Sequence, residues 1–86
     1  MDNHTVLKHP LATEKSIRLM EAENKLVFVV DRRATKQDIK KAVEAMFKAK
    51  VVAVNTHNAV TGEKRAYITL AKETPAIDIA TTLGIM

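Results

Sequence analysis

The sequence predicts an α+β fold, one sheet with helices packed against it, and three stretches carry that expectation. Leu26, Val27, Phe28, Val29 and Val30 are apolar at consecutive positions, the pattern of a strand covered on both faces. Ile39, Ala42, Val43, Met46 and Phe47 recur at helical spacing. The segments flanking Gly62 alternate as the arms of a hairpin do. At 86 residues the chain makes one domain, 1–86, with a single modest core.

Each element follows from local chemistry. Pro10 keeps the stretch before it extended, and Thr13 caps a short helix to about Ala22, with Ile17 and Met20 on its inner side. The strand Lys25 to Val30 comes next. Thr35 followed by Asp38 resembles a capping box, opening the helix whose inner face runs from Ile39 to Phe47. Val51 to Asn58 and Lys64 to Ala71 form a hairpin whose turn, Val60-Thr61-Gly62-Glu63, places glycine where a positive φ is needed. Thr74 then serves as N-cap and Pro75 as first helical residue, and Gly84, followed by apolar Ile85, stops a last helix of about Pro75 to Leu83. There is no internal repeat or low-complexity segment.

Composition narrows the function classes. With 47% hydrophobic residues and two each of Gly and Pro, the chain suits a compact fold rather than a disordered tail. The absence of cysteine removes disulfides, thiolate zinc sites and thiol nucleophiles, and points to a reducing compartment. No apolar run approaches the roughly 20 residues of a membrane span, and the first ten residues show no signal-peptide core, so a cytoplasmic location is expected.

The net charge of +4 is unevenly placed. Residues 1–30 and 51–86 each sum to zero, so the whole excess lies in 31–50, where Arg32, Arg33, Lys36, Lys40, Lys41, Lys48 and Lys50 face Asp31, Asp38 and Glu44. A focused positive field attracts polyanions, and each neutralised phosphate releases counterions. A solvated helix face would look the same, so this feature alone leaves both readings open. Aromatics make up only 3% of the chain, with Phe28 and Phe47 turned inward and only Tyr67 able to face outward. Such a chain lacks platforms for stacking single-stranded bases, and recognition of folded RNA by shape and phosphate position fits better.

Catalytic readings fail on inspection. His4 and His9 lack a further ligand for a metal site, and His57 is isolated. Ser16, the only serine, sits among charged neighbours in a helix and is expected to face solvent, with no strained turn to present it as a nucleophile. The glutamates Glu21, Glu23, Glu63 and Glu73 lie near basic residues, which suits ion pairing better than acid-base work. No glycine-rich loop exists to cradle a nucleotide. No catalytic residue, metal or cofactor is therefore expected. A small-molecule regulatory module with the same element order would place glycines at its ligand, whereas Gly62 and Gly84 are taken by a turn and a helix end. A purely protein-binding adaptor stays open, and weak affinity indifferent to RNA structure would mark it.

Val6-Leu7-Lys8-His9-Pro10-Leu11-Ala12-Thr13-Glu14-Lys15 resembles the opening motif of the large-subunit ribosomal protein twenty-three family. Lys64-Arg65-Ala66-Tyr67-Ile68-Thr69-Leu70-Ala71, followed by Ile79, is similar to that family's signature of two basic residues opening an alternating strand. Ala34-Thr35-Lys36 with Ile39-Lys40, and Val54-Asn55-Thr56, resemble it too, in the same order and spacing. The resemblance covers nearly the whole chain. It implies an antiparallel four-stranded sheet of order 1-2-4-3, hence β-α-β-α-β-β plus a C-terminal helix. It also implies binding to the third domain of large-subunit rRNA at the rim of the polypeptide exit tunnel, among neighbouring large-subunit proteins.

Carried over by position, Lys8, His9, Thr13 and Lys15 would contact RNA from the N-terminal segment, and Arg33 and Lys36 from around the start of the main helix. Asn55, Thr56, Asn58, Lys64 and Arg65 would do so from the hairpin, the cations on phosphates and the amides and hydroxyls on ribose and phosphate oxygens. Glu14 matches the glutamate that in bacterial relatives faces a ribosome-bound chaperone, though it would equally favour its helix N-terminus. Bacterial relatives carry a long basic hairpin loop that reaches into the tunnel, whereas only His57 to Glu63 separate Thr56 from Lys64 here. A long basic N-terminal extension of the eukaryotic kind is also absent. The compact form looks archaeal, with signal recognition particle the expected nascent-chain factor and neither membrane nor small-molecule substrate expected.

Overall fold

The computed structural model describes residues 6–84. Along the chain run β1 (Leu7–Pro10), α1 (Glu14–Glu23), β2 (Lys25–Val30), α2 (Lys36–Phe47), β3 (Val51–Asn58), β4 (Lys64–Leu70) and α3 (Ala76–Leu83). All strand pairs are antiparallel, in the order β1-β2-β4-β3, so the expected α+β architecture and sheet order both hold. His4 and Ile85, weighed in the sequence, lie outside the described residues.

The core forms on one face of the sheet. Leu26 pairs with Ile68 and Phe28 with Ala66 across β2 and β4, and these, with Val30 and Leu70, meet Ile39, Ala42 and Val43 of α2 and Ala76, Ile79 and Ala80 of α3. Val27 and Val29 point to the other face yet are also buried, which is why β2 is apolar at consecutive positions. α1 lies at the margin between the two faces. Its Ile17 and Met20 join the core, while Ser16 and Leu19 line a small cleft with Val27, Arg65 and Tyr67.

The predicted starts of α1 and α2 are present. Thr13 Oγ1 accepts from the Ser16 N–H at 3.2 Å. Thr35 Oγ1 accepts from the Asp38 N–H and Asp38 Oδ2 from the Thr35 N–H, both at 3.1 Å, a complete capping box. The hairpin closes where expected, with the Gly62 N–H on the Ala59 carbonyl at 2.9 Å and Gly62 at φ +91°, a backbone geometry that suits glycine.

Three local expectations need correction. Ser16 is buried rather than solvent-facing, because its hydroxyl, which donates to the carbonyls of Leu11 and Thr13 at 2.9 Å, is held against the turn entering α1. Met46 lies 37% exposed at the rim of the helix layer, since α2 ends one residue later and no element covers it. The N-terminus of α3 is capped from a distance. Thr74 Oγ1 is taken by the Lys50 N–H at 3.3 Å, and the Ala76 N–H donates instead to Asn24 Oδ1 at 2.6 Å.

Asn24 is the hub of this arrangement. It ends α1 in the left-handed conformation, φ +55°, and its Nδ2 lies 3.1 Å from the Leu70 carbonyl, 3.0 Å from that of Ala71 and 3.1 Å from that of Thr74. One side chain thus joins the end of α1, the end of β4 and the start of α3, and turns α3 back across the core face.

Candidate nucleic-acid interface

Strand alternation sorts the candidate residues before any geometry is measured. On the face away from α2 and α3, the register sets His9 beside Val29, Arg65 between Val29 and His57, and Tyr67 between Val27 and Asn55. Thr13 and Lys15, at the entry to α1, line the cleft that Arg65 and Tyr67 share with Val27. His9, Thr13, Lys15, Asn55 and Arg65 therefore belong to one surface.

A second group gathers at the end of the sheet where β1 begins and β4 starts. Lys8 lines a shallow depression with Asp31, Arg32 and Arg33, and Lys64 pairs with Val30 on one side and Asn58 on the other. Lys36 opens α2 just beyond, exposed to solvent. Asp31 tempers this group. Its Oδ1 accepts from the Arg33 N–H at 2.8 Å and lies 3.3 Å from Arg33 Nε, contacts that hold its carboxyl below the usual aspartate range. The Arg33 side chain nevertheless stays 77% exposed, accessible to a phosphate.

Thr56 and Lys64 part from their sequence neighbours. Both point to the helix side, Thr56 half-buried opposite Ala66, and the Lys64 ammonium donates to the Ala34 carbonyl at 2.6 Å, bracing the loop that leads into α2. Consecutive residues of a strand cannot share a face, so the pairs Asn55-Thr56 and Lys64-Arg65 divide. By the same alternation, His57 and Tyr67 stand with Asn55 and Arg65. Sequence reasoning left them out of the site, although the period of two already placed them there.

The charge pattern of the sheet is one-sided in sign. None of the four strands contains an Asp or Glu, while Lys8, His9, Lys25, His57, Lys64 and Arg65 all lie in strands. Glu63, just outside β4, is the nearest acid to Arg65, at 3.7 Å from its Nη2. Arg65 Nε is buried without a hydrogen-bond partner among the described residues. The Arg65 side chain as a whole is 38% exposed, so an anionic oxygen would meet it at atoms other than the buried Nε. Glu14 is set apart from these cations. Its side chain is 81% exposed, and its carboxylate pairs with Arg18 one helical turn on, at 2.7 Å.

This arrangement defines a class, the small basic α+β domains that spread cations and amides over a sheet whose strands carry no carboxylate. Comparison with known proteins gives the particular kind. Residues 5–79 match the family described as Ribosomal protein L23, and the chain belongs to that family. It is 48% identical over 85 residues to the large ribosomal subunit protein uL23 of Methanococcus vannielii and 47% identical over 85 residues to that of Methanococcus maripaludis, covering 99% of this chain and of each relative. It is 46% identical over 86 residues to the uL23 of Tetrahymena thermophila, matching along all of this chain but spanning only 57% of that protein. The methanogen relatives fit the compact, archaeal-type form, and the family places the chain on the ribosome in the cytoplasm.

Proposed function

We propose that this chain is a structural constituent of the large ribosomal subunit that binds the third domain of large-subunit rRNA and forms part of the rim of the polypeptide exit tunnel. The observation that carries the RNA-binding part is the carboxylate-free sheet. Its outer face offers His9, Asn55, His57 and the exposed part of Arg65 to phosphate and ribose oxygens. Lys8, Arg33 and Lys36 extend the contact past the end of the sheet, and Thr13 and Lys15 flank it at α1. Lys64 braces the loop into α2 from behind this surface, Thr56 stands half-buried on the same side, and Asn58, exposed at the end of β3, stays with the RNA-contacting group at the sheet end.

Neighbouring large-subunit proteins and a nascent-chain factor such as signal recognition particle complete the set of partners. Glu14 is the residue proposed for the factor, since its side chain is exposed and pairs only with Arg18 among the described residues. The five-residue connection Ala59–Glu63 leaves the hairpin too short to line the tunnel interior, so contact at the rim is the reading that fits.

The test is binding of large-subunit rRNA fragments by filter retention at two salt concentrations, with an unstructured RNA of equal length as control. Preference for the folded third-domain fragment, with a steep salt dependence, is the expected result. Weak binding that ignores RNA structure would favour a protein adaptor instead.

A further inference from the structure

The helix layer carries a feature that the RNA-facing surface does not explain. Where the C-terminal end of α2 meets the start of α3, an open groove of about 460 Å³ runs between the two helices. Met46, Phe47, Pro75 and Ile79 give it an apolar lining, and Met46 is left 37% exposed. The polar lining includes Glu73 and Asp78, both exposed, and neither is ion-paired with a cation among the described residues. The helix dipole accounts for Asp78, in the first turn of α3, but not for Glu73 in the loop before it. Among the described residues, Lys48 is the only cation lining the groove. In a chain of net charge +4, this is an apolar groove with a locally negative border.

We propose that the groove docks a basic amphipathic segment of a neighbouring protein, with aliphatic side chains seated on Met46, Phe47 and Ile79 and Lys or Arg side chains paired with Glu73 and Asp78. Two carboxylates beside the opening repel phosphate, so RNA is a poor occupant. The volume lies in the range of ligand-sized clefts, large enough for a few aliphatic side chains. Recognition of this kind is the helix-in-groove mode, in which apolar anchors give affinity and border charges set orientation and partner choice. The proposal goes beyond the RNA-facing reading, because the groove and the outer sheet face share no residue.

The test uses the full chain, isotopically labelled for NMR, and two synthetic amphipathic peptides with identical leucine positions, one with lysine and one with glutamate on the polar face. The lysine peptide is expected to shift the resonances of Met46 and Ile79 and to bind at least about tenfold more tightly than the glutamate peptide. The double variant Glu73→Gln, Asp78→Asn is expected to weaken the lysine peptide about five- to tenfold, as loss of two border ion pairs would, while rRNA-fragment affinity stays unchanged and Tm falls by no more than about a few degrees from the lost dipole contact of Asp78. Equal binding of the two peptides, an unaffected double variant, or shifts outside the groove would overturn the proposal. In large subunits, a photo-crosslinking residue at position 46 is expected to capture a protein segment with Lys or Arg beside apolar residues. Crosslinks to RNA alone, or none, would overturn it as well. Unchanged rRNA affinity in the double variant keeps this outcome separate from failure of the RNA-binding reading.

Discussion

Replacing Asn24 tests the central claim about how the fold is closed. Asn24→Ala removes the acceptor of the Ala76 N–H and the amide that meets three carbonyls, and it leaves alanine at φ +55°. The Ala71 carbonyl keeps the Thr74 N–H, so it is not orphaned. The Ala76 N–H, in the first turn of α3 with no other cap, has no second partner in the helix. About 1 kcal/mol for the lost cap of the Ala76 N–H, about 1 kcal/mol for the amide's shared contacts with the Leu70 and Thr74 carbonyls, and about 1 kcal/mol for a left-handed alanine give roughly 3 kcal/mol. A domain of this size has about 4–13 kcal/mol in all, so the variant should be visibly weakened yet still folded.

Asn24→Gly separates the two contributions, since glycine keeps the left-handed turn without strain and loses only the hydrogen bonds; its cost should be smaller by up to about 1 kcal/mol. Urea denaturation of wild type and both variants measures the differences, and hydrogen exchange at Ala76 to Ala80 shows whether α3 loosens first. A cost below about 1 kcal/mol for Asn24→Ala, with α3 amides as protected as in wild type, would refute the role assigned to Asn24.

Four further outcomes are expected. Phe47, half-buried with its ring centroid 6.0 Å from that of Phe28, should cost about 2–3 kcal/mol on change to alanine, below the usual range for an enclosed phenylalanine, and a denaturation loss under 1 kcal/mol would misplace this face of α2. Arg65→Ala should weaken rRNA-fragment binding and lower the salt slope by about 1, whereas Lys64→Ala should leave the slope alone and cost stability by about 1–2 kcal/mol through its bond to Ala34; equal slope changes in both would undo their assignment to opposite faces. The carboxyls of Asp38, hydrogen-bonded by the backbone and hydroxyl of Thr35, and of Asp31 lie below the ordinary 3.8; their contribution is present above that value and lost as pH falls through the lowered folded one, so Asp38→Ala should show less acid-dependent loss of Tm than wild type. Glu14→Ala should leave assembly into large subunits unchanged and weaken a nascent-chain factor by about 1 kcal/mol at a wetted rim, and equal factor affinity would remove Glu14 from the site.

What could be read in advance was local. The capping box at Thr35, the run through β2 and the turn at Gly62 are decided by residues within a few positions of one another, and each is present as expected. The cap of α3 was not legible, because its acceptor, Asn24, lies 52 residues earlier and only the folded sheet brings the two together. The site was legible as a set of residue types but not as a surface. The charge excess of residues 31–50 suggested one patch, yet Arg32 and Arg33 lie at the sheet end beside Lys8, while Lys40 and Lys41 ride on α2 over the opposite layer. Ser16 shows the same limit at smaller scale, since charged neighbours in sequence said nothing of the Leu11 carbonyl waiting for its hydroxyl.

The outer sheet face also has to manage its own apolar residues. Val27 and Val29 are buried although no whole helix covers that side, so their cover comes from the margin of α1 and from long side chains standing beside them in the register. Arg65 is one of these. Its stem can shelter apolar surface while the side chain as a whole stays 38% exposed, and on the RNA-binding reading a phosphate meeting its exposed part would leave the shelter in place. A carboxylate at the same position could not do both, since it would shield less surface and repel the RNA. On the proposed RNA-binding reading, the absence of acids from all four strands answers two demands met by the same side chains, cover for β2 and attraction for a polyanion, and the acidic residues are left to the helices and loops, where Glu73 and Asp78 would serve the proposed partner of the opposite charge.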